Sequence, residues 1–282
     1  MIGVFNKLAN IDVQMLNLKN SLVYTVVLIL LLFFFGVFFS VIERINSRAI
    51  NNVFGRTGLI ITGVIGTVVH EFSHMLFCVI FGHQIVDFSL FRPIKSKYDG
   101  IMGYVNHRCN INNPYQRIGN FFIGIAPIIF GTLSMIISMW ILMPSEFEIV
   151  KDTFNKNMVY MSNINNIVDS FNIYVNLVFA IISVLNPFKA SNIIAYIIVV
   201  YIIYSITTHM DLSVEDLKNS RSGFLLFFLL VFLINFVFLN LGNMFMIEYL
   251  KIVITTISFL TVSLSFAIFT MVISLVIEFF FS

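Results

Sequence analysis

From Leu22 to Ile42 the chain carries no charged residue, and comparable apolar runs return at 58–81, 118–143, 192–208, 224–241 and 252–281. About 20 consecutive apolar residues cross the hydrocarbon core of a bilayer as a helix. Backbone placed in lipid must satisfy its own hydrogen bonds, which a helix does within one segment. With 59% hydrophobic and 11% charged residues, the chain lies far from the roughly 25% charge of soluble domains. The expected fold is an all-α polytopic membrane protein with about six transmembrane helices in one integral membrane domain, 1–282. The net charge of +2 is too small to suggest a nucleic-acid surface, and no nucleic-acid partner is expected. Two cysteines, Cys78 and Cys109, are too few for a disulfide framework or a Cys-based zinc site.

The segments between the runs have their own patterns. Residues 1–21 place Val4, Leu8, Ile11, Met15 and Leu18 along one helical stripe opposite Asn6, Lys7, Asn10 and Gln14, the pattern of a helix lying on a membrane surface. In the loop 83–117, Val86, Phe88 and Leu90 alternate with Asp87 and Ser89. A charged turn, Lys95–Gly100, and a second strand-like run, Ile101–His107, follow, which reads as a β-hairpin. Residues 145–190 form an extracytoplasmic or interfacial segment, because the apolar run Leu177–Leu185 is too short to cross. Six crossings put both termini and the hairpin on one face. That face holds Lys7, Lys19, Arg92, Lys95, Lys97, Arg108, Arg117, Lys218 and Arg221, two more basic residues than the other. The positive-inside rule makes it cytoplasmic in a multi-pass protein of the plasma membrane.

The run 58–81 contains His70-Glu71-Phe72-Ser73-His74. Side chains four apart on a helix share a face, so both imidazoles can bind one zinc ion while Glu71 stands beside it as a general base. Ionisable residues are costly in lipid and mark function there. Gly58, Thr62, Gly63, Gly66 and Thr67 on the same run allow close approach of a neighbouring helix. A catalytic zinc takes three protein ligands and keeps one open position. His83 and His107 lie on the same membrane face, but His83 is nine residues past His74, whereas extended zinc motifs place the third His six residues on. Cys78, one turn past His74, reads as a small packing residue. The cluster Thr207–Asp216 ends a membrane run on the motif's side, and His209 is the expected third ligand. Asp216 and Asp211 are the alternatives, although Ser213-x-x-Asp216 also has the layout of a capping box.

These residues resemble the site-2-protease family of intramembrane zinc metalloproteases. His70-Glu71-x-x-His74 within a membrane helix carries the likeness, with Asp87-Phe88-Ser89-Leu90-Phe91-Arg92-Pro93 after it and Gly124-Ile125-Ala126-Pro127 in the next run. The likeness covers about residues 58–135. The family's second signature, Asn-x-x-Pro leading to Asp-Gly, is absent: Asn186-Pro187 lacks the spacing and Leu212 follows Asp211. The resemblance implies hydrolysis of peptide bonds in membrane-embedded or membrane-proximal protein or peptide substrates, with the hairpin of residues 85–108 offering a strand edge to the unwound substrate. Two other readings stand beside it: a membrane zinc hydrolase acting on a lipid or lipoprotein ester, and a metal-binding transporter or partner-binding subunit.

Overall fold

The computed structural model describes residues 2–161, 167–210 and 212–281; Asp211 and the stretch 162–166 of the 145–190 segment lie outside the described residues. The elements are α1 (Ile2–Ile80), β1 (Gln84–Ser89), α2 (Ser96–Asp99), β2 (Tyr104–Arg108), α3 (Pro114–Leu142), α4 (Pro144–Met161), α5 (Ile167–Val184), α6 (Ile193–Thr207), α7 (Val214–Leu241) and α8 (Asn243–Phe281). Among the described residues four helices are long and apolar enough to cross a membrane: Val13–Ile80, Pro114–Leu142, Glu215–Leu241 and Ile247–Phe281. Side chains such as Phe33, Leu225, Leu233 and Phe269 point outward on them and stay exposed, as a lipid-facing surface requires.

Four differs from the expected six, for two reasons. The runs 22–42 and 58–81 both belong to α1, separated only by Gly55 at φ 60° and ψ −160°. A straight helix would hold Ser40 and His70 about 45 Å apart at 1.5 Å per residue. Yet Ser40 Oγ accepts from the Leu212 amide and His70 Nδ1 meets the His209 carbonyl, both on the short link between α6 and α7. The chain therefore doubles back at Gly55, a backbone conformation that glycine adopts without steric cost. The second reason is that the run 192–208 forms a helix of only 15 residues, α6, about 22 Å long. It stops inside the protein, where Met210 and Leu212 of the following link are buried. Irregular backbone at membrane depth is tolerated only in such an enclosure.

Residues 2–21 are helical and pass without a break into 22–42, so no separate surface helix precedes the first run. In the 145–190 segment, α5 packs into the bundle, with Ile181 and Val184 in the core and Tyr174 Oη donating to Thr261 Oγ1 of α8 at 2.9 Å. Polar pairs tie the helices elsewhere: Asn235 to Thr25 at 3.0 Å and Ser274 to Asn46 at 2.6 Å. Such bonds are worth roughly 0.6–2 kcal/mol each in a membrane interior. The small-residue stretch of α1 receives the end of α6. There the Ser205 hydroxyl donates to the Thr62 carbonyl at 2.6 Å and accepts from the Gly66 amide at 2.8 Å.

The hairpin forms where strand alternation placed it. β1 and β2 are antiparallel, Gln84 opposite Arg108 and Ser89 opposite Tyr104, with a bulge between Ile85 and Asp87. The charged turn contains α2, closed by Gly100, and Arg92 pairs with Asp99 at 2.6 Å.

Candidate metal centre

His70 and His74 project from the second half of α1, one turn apart, and their Nε2 atoms stand 3.1 Å from each other. The Asp216 carboxylate completes the group: Oδ1 lies 3.3 Å from His74 Nε2, and Oδ2 lies 3.8 Å from His70 Nε2. All three ligand atoms fall within 4.8 Å of one another. The three side chains are only 8–13% exposed.

Backbone carbonyls orient both imidazoles. His74 Nδ1 meets the carbonyl of Ile123 at 2.8 Å, and His70 Nδ1 meets that of His209 at 2.9 Å. A carbonyl only accepts, so each Nδ1 carries the proton and each neutral ring turns the lone pair of Nε2 toward the other. The Ile123 carbonyl is available because the residue four positions on, where its helical donor would sit, is Pro127. Proline has no amide hydrogen. The His209 carbonyl is available because α6 has already ended at Thr207, with Thr208 as its cap, leaving the chain end without helical donors.

Among the described residues, which exclude Asp211, the structure brings Asp216, not His209, to the histidine pair. The His209 imidazole turns back toward its own helix, where Nδ1 meets the Ser205 carbonyl at 3.1 Å, and buried Nε2 has no hydrogen-bond partner among the described residues. His209 reaches the site through its backbone. Asp216 also keeps the capping box at the start of α7: Ser213 N–H donates to Oδ2 at 2.9 Å, and Asp216 N–H donates to Ser213 Oγ at 3.0 Å. Capping and facing the imidazoles are one geometry, because a carboxylate has two oxygens to share. Gly124 makes it possible for α3 to lie against this first turn. A Cβ there would overlap Ser220 Oγ and sit 2.5 Å from the Asp216 carbonyl oxygen.

Glu71 is half-buried on the side of α1 covered by the hairpin. Its Cγ lies where a Cβ on Gly103 would come within 2.6 Å, and the Leu90 carbonyl and Thr67 border the same spot. Arg56 donates to the Gly100 carbonyl and holds the turn of the hairpin onto α1. Comparisons with family models, with curated proteins and with solved structures each return no match.

Chemically, two neutral imidazole lone pairs and a carboxylate converge on one point within helices of membrane-spanning length. Each repels the others unless a cation lies between them. A single proton bridges one pair of acceptors, whereas a divalent metal serves all three. The donor set, two imidazole nitrogens and one carboxylate oxygen, is one that zinc takes in catalytic sites.

Proposed function

We propose that this protein is a zinc-dependent membrane-embedded peptidase of the site-2-protease kind. The observation that carries the reading is the forced tautomer of both histidines, which aims two Nε2 lone pairs at the Asp216 carboxylate. His70, His74 and Asp216 would hold the ion; bound there, zinc acidifies water and polarises a carbonyl. Glu71, adjacent in sequence and set beneath the hairpin, takes the proton of the attacking water and returns it to the leaving amine. The Ile123 and His209 carbonyls keep the rings from turning, the task that such partners perform around metal ligands.

The surroundings support the substrate class. A cleft of about 570 Å³, lined by Phe121, Ile125, Leu212, Leu217 and Ser220, runs between the first half of α1 and the opening turns of α7. Leu217 and Ser220 of its lining lie one and four residues past Asp216 on α7, and the largely apolar walls suit an apolar polypeptide segment. The hairpin supplies strand edges to such a segment once it is unwound, since a helix in lipid shields its own peptide bonds. In this reading the protein is a multi-pass protein of the plasma membrane with the hairpin on the cytoplasmic side.

The test is zinc content of purified detergent-solubilised protein together with cleavage of a membrane-peptide substrate. His70→Ala, His74→Ala and Asp216→Ala are expected to lose one zinc and all cleavage, while His209→Ala keeps its zinc because the carbonyl remains. Glu71→Gln is expected to keep zinc and lose about 10²- to 10⁴-fold in cleavage rate. Zinc content in the Asp216→Ala protein undiminished from wild type, or cleavage undiminished in Glu71→Gln, would overturn the assignment.

A further inference from the structure

A second convergence of ligand atoms lies one helical turn beyond His74. Cys78 Sγ and a ring nitrogen each from His83 and His107 fall within 4.8 Å of one another. Three separate local devices build it. At the end of α1 the His83 amide donates to the Cys78 carbonyl at 2.8 Å and the Gly82 amide to the Val79 carbonyl at 3.2 Å. That pair of bonds is a Schellman turn. It requires the left-handed φ of 68° that Gly82 adopts, and it folds His83 back over Cys78. The sheet register then sets His107 opposite Ile85, two residues past His83. Finally, His83 Nε2 donates to the Gln116 carbonyl at the start of α3 at 2.7 Å. This leaves His83 Nδ1 as a lone pair, 3.0 Å from Nδ1 of His107.

We propose that Cys78, His83 and His107 form a second metal site that takes a thiophilic divalent ion of the zinc class, separate from the His70–His74–Asp216 centre. Two nitrogens on one tetrahedral zinc stand roughly 3.3 Å apart, near the spacing of the two Nδ1 atoms. One thiolate with two imidazoles is a donor set that zinc accepts and that the oxygen-seeking ions calcium and magnesium do not. His83 and Cys78 are buried, and the Gln116 carbonyl fixes the His83 ring as second-shell partners do in zinc proteins. The effect of the ion is positional. It clasps the hairpin to the end of α1, and the same hairpin places Gly103 over Glu71. Cys78, fully buried as its expected packing role requires, would serve as a ligand besides, and a single cysteine suffices because histidines supply the other donors.

The experiment is metal stoichiometry of the full-length protein in detergent, loaded with zinc and then with cobalt. Two zinc ions per chain are expected in the wild type. One is expected in Cys78→Ser, one in His107→Ala, one in His70→Ala, and none in His70→Ala/Cys78→Ser. The zinc that persists at the first centre of Cys78→Ser also reports that the chain is folded. With cobalt, a thiolate-to-metal charge-transfer band is expected in wild type and in His70→Ala, and is lost in Cys78→Ser. One zinc per chain, lost in His70→Ala and unchanged in Cys78→Ser, would overturn the second site and leave the first intact. One zinc that depends on Cys78 but not on His70 would sustain the second site while removing the first. A cobalt protein lacking the charge-transfer band would also overturn it, as that leaves His83 and His107 joined by an ordinary hydrogen bond.

Discussion

The two clusters of ligand atoms approach each other on α1, where His74 and Cys78 are separated by about 6 Å of helix axis, and they are assembled in opposite ways. His70 and His74 come from one helix at a spacing that any helix brings together, and only Asp216 must be delivered from elsewhere. Cys78, His83 and His107 meet because a helix terminates, the chain reverses and two strands pair in one register. The first cluster is held by the bundle and the second by the hairpin. Disturbing the bundle should affect the first, and disturbing the turn or sheet the second.

Pro127→Ala makes the largest separation between them. It restores an amide donor to the Ile123 carbonyl, which then has two claimants, and His74 loses its orienting partner. Removing a partner of this kind costs 10- to 100-fold in metal affinity, and the expected result is zinc binding weakened by that factor at the first centre alone. The helix itself should become more stable, since an internal proline disfavours it. Thermal unfolding followed beside competitive zinc titration checks both signs at once; a less stable protein with unaltered zinc affinity would sever the link between Pro127 and His74.

Gly82→Ala acts on the other cluster. A residue with a Cβ in a left-handed conformation costs about 1–2 kcal/mol, so the Schellman turn should loosen. The second cluster should lose around ten-fold in affinity while the first is unchanged, by the same titration. Equal losses at both would show that the clusters are mechanically one.

The smallest effect is expected far from either. Glu146 Oε1 accepts from the Ser191 amide at 2.7 Å. Burial raises its pKa, but the Ser191 hydrogen bonds outweigh that and hold the carboxyl below the ordinary value of 4.5. A carboxylate with a depressed folded pKa adds stability that is present above 4.5 and disappears as pH falls through the folded value. The stability gap between wild type and Glu146→Gln, from urea unfolding at a series of pH values, should be constant near neutrality and shrink below about pH 4.5. Metal binding at both clusters should ignore this substitution at pH 7, and a shift at either would show that the far end of the bundle is coupled to them.

How much of this was legible in the sequence depends on distance along the chain. The apolar runs and the His70–Glu71–His74 face were readable because their periodicity is local. So was the hairpin, from the alternation of Val86, Phe88 and Leu90. A reversal between the runs 22–42 and 58–81 was legible from the polar stretch between them, but not that helix would fill that stretch up to a single break at Gly55; α6 was read as a crossing because composition does not reveal where a helix stops. His209 was preferred over Asp216 because the capping box gave Asp216 another occupation; the structure has both in one carboxylate. Cys78 was set aside because its partners arrive through a turn and a strand register, neither of which leaves a spacing rule behind.

Both imidazoles of the first centre lean on peptide carbonyls, those of Ile123 and His209, rather than on side chains. Every amino acid substituted at either position brings the same carbonyl with it. A conventional alanine scan across α3 and the end of α6 should therefore pass over the groups that aim the ligands, and the residues it flags will be the ones that decide whether those carbonyls have anything else to bind.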